Sequence, residues 1–285
     1  MNDFKINKLW NDIESNLFND DINMNNFKSS NINYRIALWN PLTRGETYLK
    51  QLIYNLCNII TKNEWKLIKN THNRNYGNPI EINYNNTHIC LDYLQAAKEA
   101  SFISNDINMN NKTILEIGAG YGRTAHLLLS NYNIKEYHII DLEGSLKLSK
   151  LYLSKVLSDE IFDKITFHNI NNINISNIDI CINIDSFAEM DKSVVINYLK
   201  LINNICDHLY IKNTVGKYKI NNISNSEALN TGLLTDIIDI YDQEIVKKQS
   251  NKFISAYKPN NDWTSINDSC AFPWSYYWQA IYRKD

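Results

Sequence analysis

The sequence lacks three patterns that would assign it to a well-defined protein class. No apolar segment approaches the roughly 18 residues that a bilayer-spanning helix requires, so no membrane span is predicted. The five cysteines are scattered and include no CxxC pair, which argues against a disulfide framework or a zinc cluster. Neither sign of charge dominates, because the sequence contains 29 lysine and arginine residues and 31 aspartate and glutamate residues. A nucleic-acid-binding protein normally shows a basic patch, so no nucleic-acid partner is expected.

The composition and the amino-terminal residues indicate a cytoplasmic protein with a real core. The first residues, MNDFKINKLWNDIES, are acidic and amphipathic where a secretory signal peptide would be apolar. A hydrophobic content of 44% in 285 residues is enough for one large domain or for a core with an appendage. Asparagine supplies about one residue in six, a bias that we interpret as codon usage and not as function.

Residues 1–110 show helical spacing and no strand-like runs. Turn-forming residues at 77–79 predict a break, and LDYLQAAKEASFI (91–103) predicts a helix after it. We therefore predict a helical cap on the substrate side of the protein over residues 1–110. Its two earlier apolar stripes comprise Ile6, Trp10, Ile13 and Leu17, and then Leu49, Leu52, Ile53, Leu56 and Ile60.

From residue 111 onward, short apolar strands alternate with helices. Strands separated by such helices pair in parallel through right-handed crossovers, which predicts an α/β fold with a doubly wound, Rossmann-like sheet over residues 111–285. The five strands are predicted at 113–118, 137–143, 164–170, 178–185 and 208–213. Further on, we predict a helix at 226–241, strands at 252–258 and 276–283 with an antiparallel C-terminal strand, and a loop at 259–275.

Three glycines at alternate positions follow the first predicted strand: Gly118, Gly120 and Gly122. Ligands of an open parallel sheet bind beyond the carboxyl ends of its strands, so this loop is a candidate binding site. The spacing is GxGxG, with Arg123 next, and it differs both from the GxGxxG of dinucleotide sites and from a P-loop. Glu116 would repel a pyrophosphate and attract an amine. The loop therefore favours a zwitterionic or cationic ligand.

The pattern Glu-x-Gly-x-Gly-x-Gly resembles the first motif of class I S-adenosylmethionine-dependent methyltransferases. The resemblance implies that the glycine loop wraps the methionine half of the cofactor and that Glu116 supports its amino group. It also implies that Asp141 binds the ribose hydroxyls and that Leu142 packs on the adenine, although a helix N-cap is an alternative role for Asp141. Tyr121 can face either the cofactor or the acceptor. The remaining cofactor contacts that the resemblance implies are Asn169 or Asn171, Ile184 and Asp185.

A second stretch, NIDSFAEMD (183–191), resembles the sugar O-methyltransferases of glycan and polysaccharide gene clusters. The pieces GAGYGR, YGNP and an aromatic carboxyl-terminal tail accompany it, and the resemblance extends from about residue 70 to the last residue. It implies methyl transfer to a hydroxyl of a nucleotide-linked sugar or a glycan precursor. Another small-molecule acceptor and a catalytically inactive methyltransferase-fold scaffold are the alternatives. The sequence is compatible with a homo-oligomer.

A sugar hydroxyl is a poor nucleophile at neutral pH, so a positioned base would help the transfer. Glu189 lies just past the fourth strand and is our first candidate for a base or an acceptor-orienting group, with a solvated position in a helical first turn as the alternative. Asp185 and Asp191 are its rivals, although Asp185 can instead line the cofactor pocket and Asp191 can cap the next helix. His88 and His72 flank the YGNP loop and are further candidates. No required metal is predicted, although Asp185, Glu189 and Asp191 could contribute ligands. Candidate acceptor contacts are Tyr76, Tyr93 and Tyr121 for a sugar ring and Arg44, Arg74 and Arg123 for a phosphate.

Overall fold

The computed structural model describes residues 6–8, 10–11, 24–29, 45–171, 173–218 and 229–285. Strands β1 (Glu81–Tyr84) and β2 (Thr87–Cys90) form a hairpin that is separate from the main sheet. The main sheet contains β3 (Thr113–Ile117), β4 (Glu136–Asp141), β5 (Ile165–Asn169), β6 (Ile178–Ile184), β7 (Cys206–Thr214), β8 (Trp263–Cys270) and β9 (Tyr277–Lys284).

The helices precede the sheet or alternate with its strands. Two 3-10 turns accompany them, at Phe27–Ser29 and at Ser186–Ala188. The α-helices within the described ranges are α1 (Glu46–Cys57), α2 (Lys62–Asn70), α3 (Leu91–Asp106), α4 (Arg123–Asn131), α5 (Glu143–Val156), α6 (Asp159–Phe162), α7 (Lys192–Ile205) and α8 (Gln243–Ala256). None of the helices in these ranges is long and apolar enough to cross a lipid bilayer.

The seven strands lie in the order β5-β4-β3-β6-β7-β9-β8. The pairs β3–β4, β4–β5, β3–β6 and β6–β7 are parallel, whereas β9 is antiparallel to both β7 and β8. The chain runs outward from β3 to β5 and then returns to β6 on the other side of β3, so the strand order reverses between β3 and β6. The predicted doubly wound and mostly parallel sheet with an antiparallel C-terminal strand is confirmed.

Both faces of the sheet are buried. In β3, Ile114 belongs to the core on one face, and Leu115 and Ile117 belong to the core on the other. Helices α1–α5 contribute to the first core, and α7 and α8 contribute to the second. A strand covered on both sides needs apolar residues at nearly every position, which is why β3 and β6 are visible as apolar runs. The predicted helical character of the region before the sheet agrees with α1–α3, and the division at residue 110 stays a prediction.

The prediction of no strand before the sheet is wrong, because the β1–β2 hairpin lies there. The two residues between its strands, Asn85 and Asn86, have φ values of 50° and 57°. Positive φ at both central residues defines the tight hairpin turn that matches the twist of two strands, and asparagine tolerates it. Asn85 and Asn86 therefore close the hairpin between β1 and β2.

The predicted strand at 252–258 is wrong, because this stretch ends helix α8. The Asp242 side chain accepts hydrogen bonds from the backbone N–H groups of Glu244 and Ile245, which caps the helix. Its buried residues, Val246, Ser250 and Phe253, follow helical spacing.

The predicted loop at 259–275 is also wrong, because it contains β8. This strand lies at the edge of the sheet with β9 as its neighbour, and an edge strand tolerates the polar residues that hid it in the sequence.

Two other predicted helices are only partly described. Residues 231–241 of the segment predicted at 226–241 form turns and an isolated bridge between Lys217 and Ile237, not a helix, and residues 226–228 lie outside the described ranges. Near the amino terminus, residues 8, 10 and 11 are helical as predicted, whereas Ile13 and Leu17 lie outside the described ranges.

Candidate functional site

The glycine loop between β3 and α4 is built from backbone that other residues could not adopt without strain. Gly118, Gly120 and Gly122 have φ values of 75°, 58° and 93°. A Cβ atom on Gly118 would overlap the side chain of Ser186, and one on Gly122 would lie 2.8 Å from Leu153 Cδ1. Two of the three glycines thus let β3 and α4 pass close to other parts of the protein, and the loop remains open toward the carboxyl edge of the sheet.

Asp141 joins this loop to the end of β4. Its Oδ2 accepts a hydrogen bond from the Gly120 N–H at 2.9 Å, and its Oδ1 accepts one from the Leu142 N–H at 2.8 Å. Leu142, and not Asp141, occupies the N-cap position of α5. These two hydrogen bonds fix the Asp141 carboxylate beside the glycine loop, where the residue lines the cleft.

Glu116 lies on β3 below the loop, and its side chain is only 2% exposed. The Tyr137 hydroxyl donates a hydrogen bond to Glu116 Oε2 at 2.7 Å. Burial raises the pKa of the Glu116 carboxyl to about 7, against the opposing effect of this hydrogen bond and of the Arg123 charge. Near neutral pH, Glu116 can therefore change its protonation state when a charged ligand arrives.

A cleft opens at the carboxyl edge of the sheet, at the point where the strand order reverses. Its volume is about 1100 Å³ with its open mouth included. The amino-terminal residues Ile6, Asn7 and Trp10 lie over it, and Asn7 Nδ2 donates a hydrogen bond to the Glu189 carbonyl at 2.7 Å. The sheet side is lined by Glu116, Gly118, Gly120, Tyr121, Arg123, Asp141, Leu142, Ser145, Ile170, Ile184, Asp185, Ser186, Glu189, Met190, Asp191, Val194 and Tyr198, among others.

Asp185 follows the last residue of β6 and has an unusual backbone conformation, with φ 67° and ψ −35°. Its Oδ1 atom is enclosed and has no hydrogen-bond partner among the described residues. Burial raises the pKa of the Asp185 carboxyl to about 6, although Lys212 and Arg123 act in the opposite direction. Asp185 lines the cleft, and its role as a cofactor contact stays a prediction.

A buried charge cluster lies behind the cleft. Lys212 Nζ donates to Glu99 Oε1 at 2.8 Å and to Gln95 Oε1 at 3.1 Å, and Arg123 Nη2 lies 3.0 Å from Glu99 Oε2. Burial alone would raise the pKa of Glu99, but the two cations hold it below its ordinary value. The sequence analysis did not identify this cluster. The cluster could have been recognised from the spacing of Asp92, Gln95 and Glu99. This spacing puts three polar side chains on one face of α3, a helix that is buried nearly all round.

Three other predicted site residues also lie at the cleft, and their roles there stay predictions. Ile184 and Glu189 line its wall, and Asp191 lies exposed at its rim, in the N-cap position of α7 but without a capping side-chain hydrogen bond. Tyr121 also contributes to the lining, but its hydroxyl donates to Asp92 Oδ2 at 2.6 Å and its ring packs edge-on against Tyr152. The Tyr121 side chain is thus held in the core and is not presented to a ligand.

Other candidates do not line the cleft. His88 is exposed on the β1–β2 hairpin, where its Nδ1 lies 2.7 Å from Glu81 Oε1. Asn169 accepts a hydrogen bond from the Asn171 N–H at 3.0 Å, and the apolar Ile170 between them faces the cleft instead. Asparagine at this place therefore closes a local turn.

The other suggested acceptor contacts also lie elsewhere. Arg74 donates hydrogen bonds to the backbone carbonyls of Ile68 and Thr71, and Arg44 lies outside the described ranges. His72 is exposed, and the rings of Tyr76 and Tyr93 pack in the core region around Tyr152. In the described part of the chain, no group of three or more His, Cys, Asp or Glu residues is arranged to hold a metal ion.

Comparisons with known proteins identify the fold of this chain but do not indicate a methyl acceptor. No protein-family model and no curated protein matches the chain. Among solved structures, the chain is similar to the methyltransferase domain of bacterial CtHen1-CN, with 12% identity, coverage of 66% of this chain and 97% of that chain, and a TM-score of 0.50. This likeness shows a methyltransferase fold, as predicted.

Two further structures resemble the chain more weakly. An S-adenosylmethionine-dependent methyltransferase from Clostridium acetobutylicum has 12% identity and a TM-score of 0.47, with 68% of this chain and 92% of that chain covered. The glycopeptide N-methyltransferase MtfA, complexed with sinefungin, has 9% identity and a TM-score of 0.44, with 67% and 87% covered.

Proposed function

We propose that this protein is an S-adenosylmethionine-dependent methyltransferase. The observation that carries the proposal is the joint placement of Asp141, Glu116 and the glycine loop at the point where the strand order reverses, within one cleft. The residues fit this cofactor. The three glycines, all at positive φ, carry the loop backbone along the cleft, and the cleft offers both an ionisable carboxyl and apolar walls.

The charges of the cleft support a ligand with a positive group. Among the described lining residues, Arg123 carries the positive charge, and it is already paired with Glu99. The carboxyl groups at the same wall are those of Glu116, Asp141, Asp185, Glu189 and Asp191. A pyrophosphate would meet mostly like charges here, whereas an ammonium or a sulfonium would meet opposite ones.

Each part of the cofactor would have a suitable partner. Asp141 would accept hydrogen bonds from the ribose hydroxyls, and Leu142, Ile170 and Val194 form an apolar surface suited to the adenine. Glu116 would receive the ammonium of the methionine tail beside Gly118. When bound, the cofactor supplies an electrophilic methyl group, and the chain has to align an acceptor oxygen with it.

For the acceptor, we propose a hydroxyl of a nucleotide-linked sugar or of a glycan precursor. The outer part of the cleft combines an aromatic side chain, Trp10, with hydrogen-bonding groups on Asn7, Glu189 and Asp191. Aromatic faces and short polar side chains are the usual contacts of a sugar ring and its hydroxyls. In this arrangement Glu189 orients the acceptor, and Asp191 contributes at the rim. A soluble sugar nucleotide is an expected partner, and self-association would not change this chemistry.

Calorimetry tests the cofactor. We expect S-adenosylmethionine and S-adenosylhomocysteine to bind with dissociation constants in the micromolar range, about −8 kcal/mol. The variant Asp141→Ala should lose most of this affinity, whereas Glu160→Gln, at an exposed position in α6, should keep it. Failure of the wild-type protein to bind either compound would refute the proposed activity.

A panel of nucleotide sugars tests the acceptor. The protein is incubated with the cofactor and UDP-, GDP- and dTDP-linked sugars, and mass spectrometry searches for the gain of one methyl group. Methylation of a sugar supports the proposal. A protein that binds the cofactor, leaves every sugar unchanged and methylates an amine or a carboxylate in a second panel would disprove the sugar acceptor alone.

A further inference from the structure

The turn after β6 stores backbone strain at one residue. Asp185 has φ 67° and ψ −35°, outside the left-handed helical region that asparagine and aspartate commonly visit. Such a conformation is strained for a residue with a side chain. Glycine would adopt it more readily, so the presence of aspartate here is not explained by the shape of the turn.

The neighbouring residues hold this strained turn in place. The Asp185 N–H donates to the Lys212 carbonyl at 2.8 Å, which fixes the turn to β7. Asn183 Nδ2 donates to Ser186 Oγ at 2.6 Å, and Asn213 Nδ2 donates to Asn183 Oδ1 at 2.9 Å. Asn183 and Asn213 are fully buried, so these hydrogen bonds are shielded from water. The Asp185 carboxyl is therefore preorganised.

The carboxyl of Asp185 is not used for a structural ion pair. Lys212 and Arg123 face it, but both cations bind Glu99 directly. The Tyr277 hydroxyl provides a hydrogen bond, and Oδ1 stays enclosed with no partner among the described residues. An unpartnered carboxylate oxygen in a buried site is costly, and a ligand that donates a proton or brings a positive charge would remove the cost.

The other acids of the cleft are placed differently. Asp191 is exposed at the rim, where water would compete for its carboxylate. Glu189 is half-buried and ends the 3-10 turn, and its backbone carbonyl holds Asn7. Glu116 lies beneath the glycine loop and accepts from Tyr137. Asp185 thus combines a fixed conformation with an enclosed free oxygen.

We propose that Asp185, which lines the cleft, is the general base of the reaction, with its carboxylate receiving the proton of the acceptor hydroxyl. The inference rests on the proposed function. The acceptor O–H bond breaks and its proton moves to Asp185, a bond forms between that oxygen and the methyl carbon, and the broken S–CH₃ bond leaves its electron pair on sulfur. One positive charge disappears at sulfur as one negative charge disappears at Asp185. The buried site therefore carries the same net charge before and after transfer.

The first test needs no acceptor. Calorimetry gives the ratio of affinities for S-adenosylmethionine, which is cationic at sulfur, and S-adenosylhomocysteine, which is neutral there, from pH 5 to pH 8. In the wild-type protein, the preference for the cation should increase with pH as Asp185 ionises near pH 6. Asp185→Asn should abolish this increase and reduce the preference by about tenfold at pH 8. Because both ligands carry the same ammonium, ionisation of Glu116 cancels in the ratio.

The control variant is Glu189→Gln, which should keep the pH-dependent preference. Asparagine is isosteric with aspartate and meets the same backbone strain at position 185, so the variant should fold with an unfolding temperature close to that of the wild-type protein. An unchanged ratio in Asp185→Asn would overturn the proposal. An equal loss of affinity for both ligands would also overturn it, since Asp185 would then be a general cofactor contact.

The second test uses a sugar nucleotide that the panel shows to be methylated. Asp185→Asn should reduce single-turnover methyl transfer by at least about 100-fold while the cofactor affinity stays within about threefold. The rate of the wild-type protein should fall below about pH 6, and Glu189→Gln should retain this acid limb. Full turnover in Asp185→Asn would refute the assignment. If no sugar is methylated, the sugar acceptor fails, and the affinity ratio still decides the role of Asp185.

Discussion

Replacement of Glu116 by glutamine is expected to stabilise the ligand-free protein at pH 8 and to have a much smaller effect at pH 5. The carboxyl is 2% exposed, and burial raises its pKa from the ordinary 4.5 to about 7. Glutamine has the same shape, and its side-chain oxygen can still accept the Tyr137 hydroxyl hydrogen bond of 2.7 Å. The substitution therefore removes a buried ionisation and preserves the packing.

The direction of the pH effect follows from the proton balance. In the unfolded chain Glu116 loses its proton near pH 4.5, and in the folded protein it keeps the proton up to about pH 7. Between these values the folded state binds more protons, so this contribution to stability falls as the pH rises. The whole change corresponds to about 3 kcal/mol, and about 2 kcal/mol of it accumulates between pH 5 and pH 8.

Urea unfolding at pH 5, 6, 7 and 8 measures this difference. The stability gap between Glu116→Gln and the wild-type protein should widen by about 2 kcal/mol across the series, or by about 5 °C in the unfolding temperature. Glu160→Gln is the matched control, because Glu160 is exposed and its substitution should give no pH-dependent gap. Parallel stability curves, or a Glu116→Gln variant that is less stable than wild type at pH 8, would refute the reasoning.

The same substitution should have the opposite effect on binding. Glu116 is the proposed partner of the methionine ammonium, so its ionised form contributes to the cofactor complex. At pH 8 we expect Glu116→Gln to weaken cofactor binding by about tenfold while it stabilises the free protein. Gains in both stability and affinity would contradict the proposed place of the ammonium.

Three further predictions concern the cleft. Asp141→Asn should weaken S-adenosylhomocysteine binding by about 10- to 100-fold in calorimetry, because hydrogen bonds to charged groups contribute about 1.5–3 kcal/mol; unchanged affinity would exclude a ribose contact. Gly118→Ala should unfold at least about 3 kcal/mol more easily in urea, and Ser186→Gly should restore part of the loss, since the new methyl group overlaps the Ser186 side chain. Asn7→Ala should raise the cofactor dissociation rate about fivefold in stopped-flow fluorescence, because it loses a 2.7 Å bond to the Glu189 carbonyl; an unchanged rate would show that this segment does not retain the ligand.

The errors of sequence interpretation have distinct physical causes. Strands β3, β4, β6 and β7 were predictable because burial on both faces requires continuous apolar runs. Strand β8 was not, because its place at the sheet edge permits the polar residues of TSINDS. The β1–β2 hairpin depends on two asparagines at positive φ, and in a chain so rich in asparagine this turn had no distinctive signal.

At the candidate site, residues whose positions depend on local spacing could be predicted from the sequence. Residues whose positions depend on long-range contacts could not. The glycine loop, Glu116 and Asp141 follow from where two adjacent parallel strands end, so their proximity could be predicted. His88 was proposed because it flanks the YGNP loop, and Asn169 because the resemblance implies a cofactor contact at the end of the third strand. In the structure, His88 pairs with Glu81 on the hairpin, and Asn169 closes a local turn. The sequence indicated Asp185 as a cofactor contact, but nothing in it showed that one oxygen of this carboxyl is enclosed.

The parallel strands of the sheet, its doubly wound character and the glycine loop could be predicted from the sequence, because each depends on residues close together in the chain or on a regular pattern. The enclosed acid, the paired cations and the segment beside the cleft became visible only in the folded protein. Helix α3 brings Glu99 to Lys212 on β7, and this pairing leaves the Asp185 carboxyl without a cation of its own. Such a balance of buried charge is set by contacts between distant residues, and no local pattern of residues encodes it.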